Sequence, residues 1–469
     1  MTLPAEITDV LEGRKVTLAY ADFVRRKSQL NTESGFAPVW LPDFLFDFQR
    51  ALVEWAVRKG RAAIFADCGL GKTPMQLVWA ENVVRQTNGR VLILTPLAVG
   101  QQTIREATKF GIDAKVSRDG KADCPIVVTN YERLHYFNPN DFSGVVCDES
   151  SIMKNFKGRR KSEITEFMRT RPYRLLCTAT AAPNDFWELG TSSEALGYLG
   201  FRDMITQFFK QEVKKDYLGW GRTKYRFRGH AEQPFWRWVC SWARVVRRPS
   251  DMGFSDEDFQ LPPLREQEIM IADSTPRAGM LFSLPANDMM EQREELRVTL
   301  KERCQKAADL MNAHERPAVI WCYLNKEGDV LARMIDGAKQ VSGSMPDEKK
   351  EELLAAFQSG QLHRLIIKPK IGCFGLNWQH CHDVTVFPSY SWEQYYQAVR
   401  RCWRFGQKQP VTVNIIATQG QDGVMAALRR KSEQADKMFS ALSTHTNDAL
   451  VVDGSLKFNE KEEVPEWLS

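Results

Sequence analysis

The chain has little of what marks a secreted, membrane-embedded or metal-stabilised protein. Its ten cysteines are scattered and form no C-x-x-C pair, which argues against a zinc ribbon or a disulfide framework. No apolar run reaches the ~20 residues that a membrane span needs. The segment from Met1 to Val10 contains acids and a proline instead of a basic-then-apolar signal. We therefore expect a cytoplasmic protein with no membrane partner.

Strong charge of one sign is also absent. The formal net charge of +5 over 469 residues is too small to establish a nucleic-acid partner, so local charge is more informative. Apolar residues make up 43% of the chain and charged residues 26%, as in soluble globular proteins. The length exceeds that of one ordinary core and suggests two or three domains.

Short β-rich runs alternate with helical stretches, which predicts an α/β fold with parallel sheets. Several runs are continuously apolar, as expected for strands covered on both faces. The alternation stops between about residues 184 and 248 and resumes near residue 318. We predict a first lobe over residues 1–183, a helical insertion and linker over 184–265, a second lobe over 266–446 and an acidic tail over 447–469. The predicted strands are Ala62–Ala66, Val91–Thr95, Ile126–Thr129, Val145–Asp148, Leu175–Thr178, Ala318–Tyr323, Leu365–Lys368, Val384–Pro388 and Val411–Ala417.

A phosphate-binding turn follows the first predicted strand. The run from Asp67 to Thr73 reads DCGLGKT and leads into a helix-like stretch from Pro74, a residue that suits a first helical turn. Glycines let backbone N–H groups close around phosphate oxygens, and a helix N-terminus adds favourable partial charge. We expect Lys72 to reach the β- and γ-phosphates and Thr73 to bind Mg²⁺, although Ala66 stands where the general pattern has glycine.

Two carboxylates end a later apolar strand. Asp148 and Glu149 follow Val145–Cys147. Downstream of a phosphate turn, Asp148 is expected to hold Mg²⁺ and Glu149 to orient and deprotonate the attacking water. At another strand end, the hydroxyl groups of Thr178 and Thr180 either relay the state of the γ-phosphate or simply close a turn.

An arginine-rich run lies in the second half, from Gln397 to Gln407. If this run is a helix, Arg401 and Arg404 lie on one face. A planar guanidinium stabilises charge that develops on a transferred phosphoryl group. Placed across a cleft from the phosphate turn, these arginines would make hydrolysis depend on lobe closure. The alternative is a solvated basic face, against which the neighbouring Trp403 argues.

Taken in order, these motifs resemble those of superfamily-two helicases, closest to the Swi/Snf-type DNA translocases, from about Leu45 to Leu442. The resemblance implies two RecA-like P-loop NTPase lobes that bind ATP and Mg²⁺ in the cleft between them. It implies catalytic roles for Lys72, Asp148, Glu149, Gln397, Arg401 and Arg404, and metal-binding roles for Thr73 and Asp148. It implies nucleotide binding by Gln49, which would recognise adenine, and by Cys68, Gly69, Leu70, Gly71, Lys72, Thr73 and Gly375. It implies nucleic-acid contacts by Thr95, Pro96, Asn130, Lys154, Asn155, Asn377 and Trp378.

The sequence departs from the family's pattern at five positions that surround these motifs. Ser150 and Ser151 replace an Ala-His pair that helps to couple hydrolysis to DNA, and Ala179 replaces a glycine. Arg400 and Trp403 replace the usual Asp and His of the arginine motif. None of these changes removes a residue that hydrolysis requires. The compact chain resembles a bacterial or phage protein more than a nuclear remodeller.

Motors of this family mainly hold the phosphate backbone, so we expect sequence-tolerant, salt-sensitive binding of duplex or forked DNA by a monomer. Basic residues concentrate in residues 154–174 and 214–248. The second segment also carries aromatic residues and has two interpretations. Its rings stack on a single strand while its cations follow the phosphates, or Trp236, Trp238 and Trp242 simply fill a core.

The predicted function is that of an ATP-dependent DNA translocase or helicase, a DNA-stimulated ATPase. One alternative is a helicase that separates strands or migrates branches, on DNA or RNA. Another is a nucleotide-gated DNA clamp that serves a partner nuclease or methyltransferase. The intact Glu149 and both arginines argue against an inactive ATPase.

Overall fold

The structure is a computed structural model that describes residues 34–97, 99–156, 158–215, 221–271, 289–372 and 377–451. In the first half, the strands are β1 (Arg61–Ala66), β2 (Arg90–Thr95), β3 (Ala114–Val116), β4 (Ile126–Asn130), β5 (Phe142–Asp148), β6 (Tyr173–Cys177), β7 (Phe209–Lys215), β8 (Gly221–Phe227) and β9 (Ala243–Val246). The helices there are α1 (Asp47–Lys59), α2 (Lys72–Thr87), α3 (Gly100–Lys109), α4 (Arg159–Arg169), α5 (Leu189–Leu196), α6 (Phe201–Phe208) and α7 (Glu232–Cys240).

The second half continues the same alternation. Its strands are β10 (Leu264–Ile271), β11 (Ala318–Trp321), β12 (Lys339–Val341), β13 (Arg364–Ile367), β14 (Asp383–Val386) and β15 (Val411–Thr418). Its helices are α8 (Met289–Val298), α9 (Leu300–Asn312), α10 (Asn325–Met334), α11 (Asp347–Gln358), α12 (Pro369–Gly372), α13 (Trp392–Val399) and α14 (Asp422–Val451). Within these described ranges, no helix is both long and apolar enough to cross a membrane.

The first lobe is built on a parallel sheet in the order β3-β4-β2-β5-β6-β1-β9. Strand β1 shows why its sequence is apolar throughout, because the sheet is covered on both faces. Ala63 and Phe65 belong to one buried cluster, whereas Ile64 and Ala66 belong to the cluster on the opposite face.

The second lobe is built on a parallel sheet in the order β10-β15-β14-β11-β13-β12. Its clusters again lie on both faces, with Val319 on one side and Ile320 on the other. The predicted α/β fold with two parallel sheets is therefore confirmed.

The insertion differs from the prediction because it is not only helical. It contains an antiparallel hairpin of β7 and β8, and its last strand, β9, returns to the edge of the first sheet beside β1. A boundary at residue 184 therefore separates β9 from the sheet to which it belongs. Of the two interpretations of the insertion, core packing is confirmed for its tryptophans: Trp236, Trp238 and Trp242 are buried in the first-lobe core.

The last helix connects the two halves. Helix α14 follows the second sheet, yet Met438, Phe439 and Leu442 pack into the first-lobe core. Arg247 forms an ion pair with Asp436 at 2.8 Å and lies over the ring of Phe439. The insertion and the end of the second lobe are thus packed against each other.

Candidate active site

The phosphate turn joins β1 to α2. Gly69 and Gly71 have φ angles of 92° and 74°, a region that L-residues with a side chain rarely adopt. Helix α2 begins at Lys72, two residues before the predicted start at Pro74. The Nζ of Lys72 donates a hydrogen bond to the Ala66 carbonyl at 3.0 Å, so the ammonium group folds back over the turn.

The acidic pair is attached to the same turn through α2. The Nε2 of Gln76 donates to Oδ1 of Asp148 at 2.7 Å. Burial and the neighbouring Glu149 raise the pKa of Asp148 to about 6, while the bond from Gln76 and the charge of Lys72 act in the opposite direction. Burial and a second carboxylate both disfavour the charged form of Asp148. A metal cation bound beside it would stabilise that form.

Glu149 has a left-handed backbone with φ 52° and ψ 52°, and non-glycine residues held in that conformation are frequent at functional sites. The Oγ1 of Thr178 donates to its Oε2 at 3.3 Å, and the N–H of Thr180 donates to Oγ1 of Thr178 at 3.1 Å. The hydroxyl of Thr178 at the end of β6 thus contacts the carboxylate expected to orient water. Both interpretations stay open, because the contact with Glu149 suits a relay and the bond from Thr180 closes a turn.

The arginine segment is helical only at its start, so the condition under which Arg401 and Arg404 would share a helix face is not met. Helix α13 ends at Val399. The Arg401 carbonyl accepts from the N–H of Trp378 at 2.9 Å, and the Cys402 carbonyl accepts from Nε2 of Gln407 at 3.1 Å. Carbonyls that a continuing helix would use internally are therefore bonded elsewhere. Arg401 and Arg404 still lie near each other, and burial together with the charge of Arg401 lowers the pKa of Arg404 to about 10.

The phosphate turn and the arginine segment touch across the lobes. A Cβ built on Gly69 would lie 3.0 Å from the backbone nitrogen of Phe405 and 3.6 Å from Cβ of Arg404. Glycine at position 69 therefore serves close interlobe approach as well as backbone conformation. Segments that stand more than 300 residues apart in the sequence form one site.

An ion pair holds this contact. The Nη2 of Arg400 lies 2.6 Å from Oδ2 of Asp67 and donates to the Cys68 carbonyl at 2.9 Å. The hydroxyl of Tyr396 donates to the other oxygen of Asp67. Both charged side chains are nearly buried, with Arg400 at 4% and Asp67 at 10% exposure. Arg400 also lies over the ring of Trp403, at 4.8 Å from the ring centroid.

A second interlobe contact lies at the other end of α13. Glu393 pairs with Lys154, and its Oε1 accepts from Oγ1 of Thr180 at 3.1 Å. Lys154 follows the acidic motif, and Thr180 follows β6. Both ends of one second-lobe helix thus contact functional segments of the first lobe.

The comparisons with known proteins agree with this geometry. The family described as "Helicase conserved C-terminal domain" matches residues 297–406, a stretch that includes α13, Arg401 and Arg404. A second similar protein is YwqA of Bacillus subtilis (strain 168), which is named provisionally as an ATP-dependent helicase/translocase. Its sequence is 23% identical to that of this chain over 422 residues. The chain thus contains a stretch similar to the helicase C-terminal domain and is similar to YwqA over most of its length.

The alignment with YwqA covers 76% of this chain and 44% of YwqA, so the chain spans less than half the length of that relative. A solved structure of the Sulfolobus solfataricus SWI2/SNF2 ATPase core in complex with dsDNA is 15% identical. That comparison covers 89% of this chain and 96% of the Sulfolobus chain, with a TM-score of 0.40.

Gln49 and Gln397, two of the predicted site residues, are both buried. Gln49 joins α1 to the phosphate turn, because its Nε2 donates to the Leu70 carbonyl at 2.9 Å and its Oε1 accepts from the N–H of Phe46 at 3.1 Å. Its recognition of adenine stays a prediction. Gly375 lies outside the described residues.

The predicted nucleic-acid residues occupy different environments. Trp378 is fully buried, with its ring 5.5 Å from that of Trp321 and 5.1 Å from that of Phe357. Its ring therefore belongs to the second-lobe core, and its role as a nucleic-acid contact stays a prediction. The side chain of Thr95 is also buried.

The remaining predicted contacts lie nearer the surface. Asn155 is exposed, whereas Pro96 and Asn377 are half-buried. The side chain of Asn130 accepts from the N–H of Arg133 at 3.1 Å and so caps a short helix. Lys154 is paired with the opposite lobe. The nucleic-acid roles of these residues stay predictions.

Sequence reasoning missed the residues that join the lobes. Asp67, Glu393 and Tyr396 gave no signal of their own, because an acid or a tyrosine has no recognisable role until its partner is known. Arg400 and Trp403 did give a signal, since both depart from the family pattern. The structure shows that these two departures belong to one interlobe contact.

Proposed function

We propose that this chain is an ATP-hydrolysing motor that moves on DNA, as a translocase or helicase. The observation that carries the proposal is the contact of the phosphate turn at Gly69 with Arg404 and Phe405 of the other lobe. Because half of the site lies in each lobe, the nucleotide state and the relative position of the lobes are coupled. That coupling is what a motor requires, whereas a simple phosphate-transfer enzyme does not need it.

Each residue of the site has a role in this proposal. Lys72 turns from the Ala66 carbonyl to the β- and γ-phosphates of ATP, and Glu149 orients the attacking water and accepts its proton. Arg401 and Arg404 stabilise the negative charge that develops on the γ-phosphoryl group. Adjacent buried guanidinium groups repel each other, and an anionic phosphate between them would offset that repulsion.

The oxygen donors fit Mg²⁺. Thr73 offers a hydroxyl group and Asp148 a buried carboxylate, and a bound Mg²⁺ would neutralise charge on the phosphates. Among the described residues, no group of three or more His, Cys, Asp or Glu side chains is arranged so that it could hold a metal ion. That fits a magnesium site built from one carboxylate and the substrate's own phosphates.

DNA is the proposed track. The family and the name of YwqA support a polynucleotide substrate, and we propose duplex or forked DNA held through its phosphate backbone. We also propose that the chain is divided into two lobes, an insertion and a tail. In this division, β9 belongs to the first lobe, because it pairs with β1.

The test is ATP turnover measured with no nucleic acid, duplex DNA, forked DNA, single-stranded DNA and RNA. We expect DNA to stimulate turnover, Lys72→Ala to abolish it, and Glu149→Gln to lower it by about 100- to 10,000-fold. Matched controls are Lys349→Ala and Glu352→Gln, which make equivalent changes in an exposed ion pair with 51% and 64% exposure and should leave turnover unchanged.

The same assay separates the alternatives. Undiminished turnover in Lys72→Ala or Glu149→Gln contradicts the assignment of the site. Strongest stimulation by forks favours strand separation or branch migration, and strongest stimulation by RNA contradicts the DNA track. A single turnover for each binding event favours a nucleotide-gated clamp.

A further inference from the structure

Gln76 connects the helix of the phosphate turn to the ends of two strands. It lies on α2 four residues after Lys72, so both side chains belong to one face of the helix. Gln76 is only 1% exposed. Its Nε2 donates to Oδ1 of Asp148 at 2.7 Å, and its amide is also hydrogen-bonded to the thiol of Cys177. One uncharged side chain therefore joins α2 to β5 and β6.

The two strand ends that Gln76 contacts are those beside the acidic pair. Asp148 and Cys177 are directly paired in the register of β5 with β6. Glu149 and Thr178 follow them in the chain, and Oγ1 of Thr178 donates to Oε2 of Glu149 at 3.3 Å. Gln76 thus contacts the edge of the sheet at which the metal-binding and water-orienting carboxylates are expected.

Helix α2 buries two amide side chains, and their partners differ in kind. Asn82 accepts from the N–H groups of Val39 and Trp40 at 2.8 and 2.9 Å and donates to the Trp40 carbonyl at 2.7 Å. These partners are main-chain groups, which any fold must satisfy. The partner of Gln76 is instead a carboxylate expected to hold a metal ion. Asn82 therefore supports the fold, whereas Gln76 supports a functional group.

The chemistry of an amide suits this position. A lysine or arginine there would neutralise Asp148 and compete with a metal ion for its oxygens. An apolar residue would leave the buried carboxylate without this donor, which is costly. Glutamine fixes one carboxylate oxygen and leaves the negative charge in place for a cation. Because Thr73 lies three residues before Gln76 on α2, its hydroxyl and the held carboxylate keep one spatial relation.

We propose that Gln76 is a positioning residue for magnesium, which holds the Asp148 carboxylate in the orientation that binds the ion. This inference rests on the function proposed above, in which Thr73 and Asp148 hold Mg²⁺. It adds that part of the metal affinity comes from a residue that does not touch the ion. Removing such a residue typically lowers metal affinity roughly 10- to 100-fold.

The test is the binding of a fluorescent, non-hydrolysable ATP analogue to the full chain, titrated with magnesium chloride in the absence of DNA. The variant Gln76→Met keeps the length and approximate volume of the side chain and removes its donor. We expect the magnesium concentration at half-maximal enhancement of binding to rise roughly 10- to 100-fold. Affinity for the analogue in EDTA should stay within about twofold, because the phosphate turn is intact.

Two comparisons make the result specific to Asp148. Gln86→Met makes the same change at an exposed position of α2 and should leave the magnesium midpoint unchanged. In an Asp148→Asn background, Gln76→Met should add little to the midpoint, because the group that Gln76 positions has already lost its charge. Fully additive shifts in the double variant would show that Gln76 acts elsewhere and would overturn the proposal.

A second variant keeps the test independent of the shape of one replacement. Gln76→Leu also removes the donor and should raise the magnesium midpoint by a similar factor. Thermal unfolding in EDTA shows whether each variant is folded. A purely structural role predicts that both variants bind the analogue more weakly by the same factor with and without magnesium, and that result would also overturn the proposal.

The outcomes separate this proposal from the proposed function. If magnesium strengthens analogue binding by the unmodified chain and both Gln76 variants keep its midpoint, only the positioning role is overturned. If the unmodified chain does not bind the analogue, or binds it with no response to magnesium, both proposals fail.

Discussion

Two of the contacts between the lobes lie at opposite ends of α13. The second lobe contributes the acid to one ion pair and the base to the other. Near its first turn, the acid Glu393 belongs to the second lobe and the base Lys154 to the first. Just after its last turn, the base Arg400 belongs to the second lobe and the acid Asp67 to the first. Both placements suit the helix dipole, which favours anions at the N-terminus and cations at the C-terminus.

Burial distinguishes the two contacts more than charge does. Arg400 and Asp67 are 4% and 10% exposed, whereas Lys154 and Glu393 are 32% and 11% exposed. Breaking a buried pair leaves an unpaired charge in a poorly solvated place, and a partly exposed pair loses much less. The contact at the phosphate turn should therefore dominate lobe closure, and the contact beside the acidic motif should only adjust it.

Among variants of the interlobe contacts, the largest effect on ATP turnover is expected from Arg400→Ala. The change leaves Asp67 buried without its cation, at a cost of about 3–5 kcal/mol in the closed arrangement. If hydrolysis requires closure, kcat/KM for ATP falls by roughly 100- to 5,000-fold. Steady-state ATPase kinetics with saturating DNA measure this loss, which should appear mainly in kcat.

Two companion variants distinguish loss of the ion pair from a general disturbance of the structure near Arg400. Arg400→Lys keeps the charge and should recover part of the activity. Arg400→Gln combined with Asp67→Asn removes both charges and should be more active than Arg400→Ala, because no unpaired charge remains. Normal kinetics in Arg400→Ala would mean that the pair does not control closure.

The inner strands of both sheets were predictable from sequence because they are buried on both faces, whereas the edge strands β3, β9, β10 and β12 were not predicted. A strand such as β2 is continuously apolar, and the predicted Val91–Thr95 differs from the observed Arg90–Thr95 by one residue. The hairpin was not predictable in this way. Charged and aromatic residues are mixed along these two strands in the sequence. Their pattern indicates a hairpin only once the pairing of β7 with β8 is known.

The site was predictable in its separate parts but not in its assembly. Motifs of local sequence identify Lys72, Asp148 and the arginine segment. Helix α13 ends at Val399, and beyond it the Arg401 carbonyl accepts from Trp378, which lies more than 20 residues away in the sequence. The burial of Trp378 likewise depends on rings contributed by two other elements of the second lobe. Long-range packing decided each of these features.

A smaller effect is expected from Trp403→Phe, which tests how the buried contact is supported. The Nε1 of Trp403 donates to the Pro262 carbonyl at 2.7 Å, so it ties the arginine segment to the linker before β10. Phenylalanine keeps an aromatic ring near Arg400 but loses that bond, at a cost of about 1 kcal/mol. We expect kcat/KM to fall roughly fivefold. Loss on the scale of Arg400→Ala would show that the linker, and not the ion pair, holds the lobes together.

The smallest effect is expected from Glu393→Gln at the more exposed contact. This variant is preferable to a change at Lys154, because Lys154 is also a predicted nucleic-acid residue. Glutamine keeps an oxygen for Thr180 and loses only the charge, which is worth about 0–1 kcal/mol in a partly exposed pair. We expect kcat/KM to fall at most about fivefold at low ionic strength.

Ionic strength provides the sharpest comparison of the two contacts. Salt screens exposed pairs much more than buried ones. The difference between Glu393→Gln and the unmodified chain should therefore shrink as NaCl rises from about 0.05 M to about 0.5 M, where the Debye length falls below roughly 8 Å. The difference caused by Arg400→Ala should persist over the same range. Because salt also weakens DNA binding, both titrations must be run without DNA, on basal turnover. Equal salt sensitivity at the two contacts would contradict the argument that burial separates them.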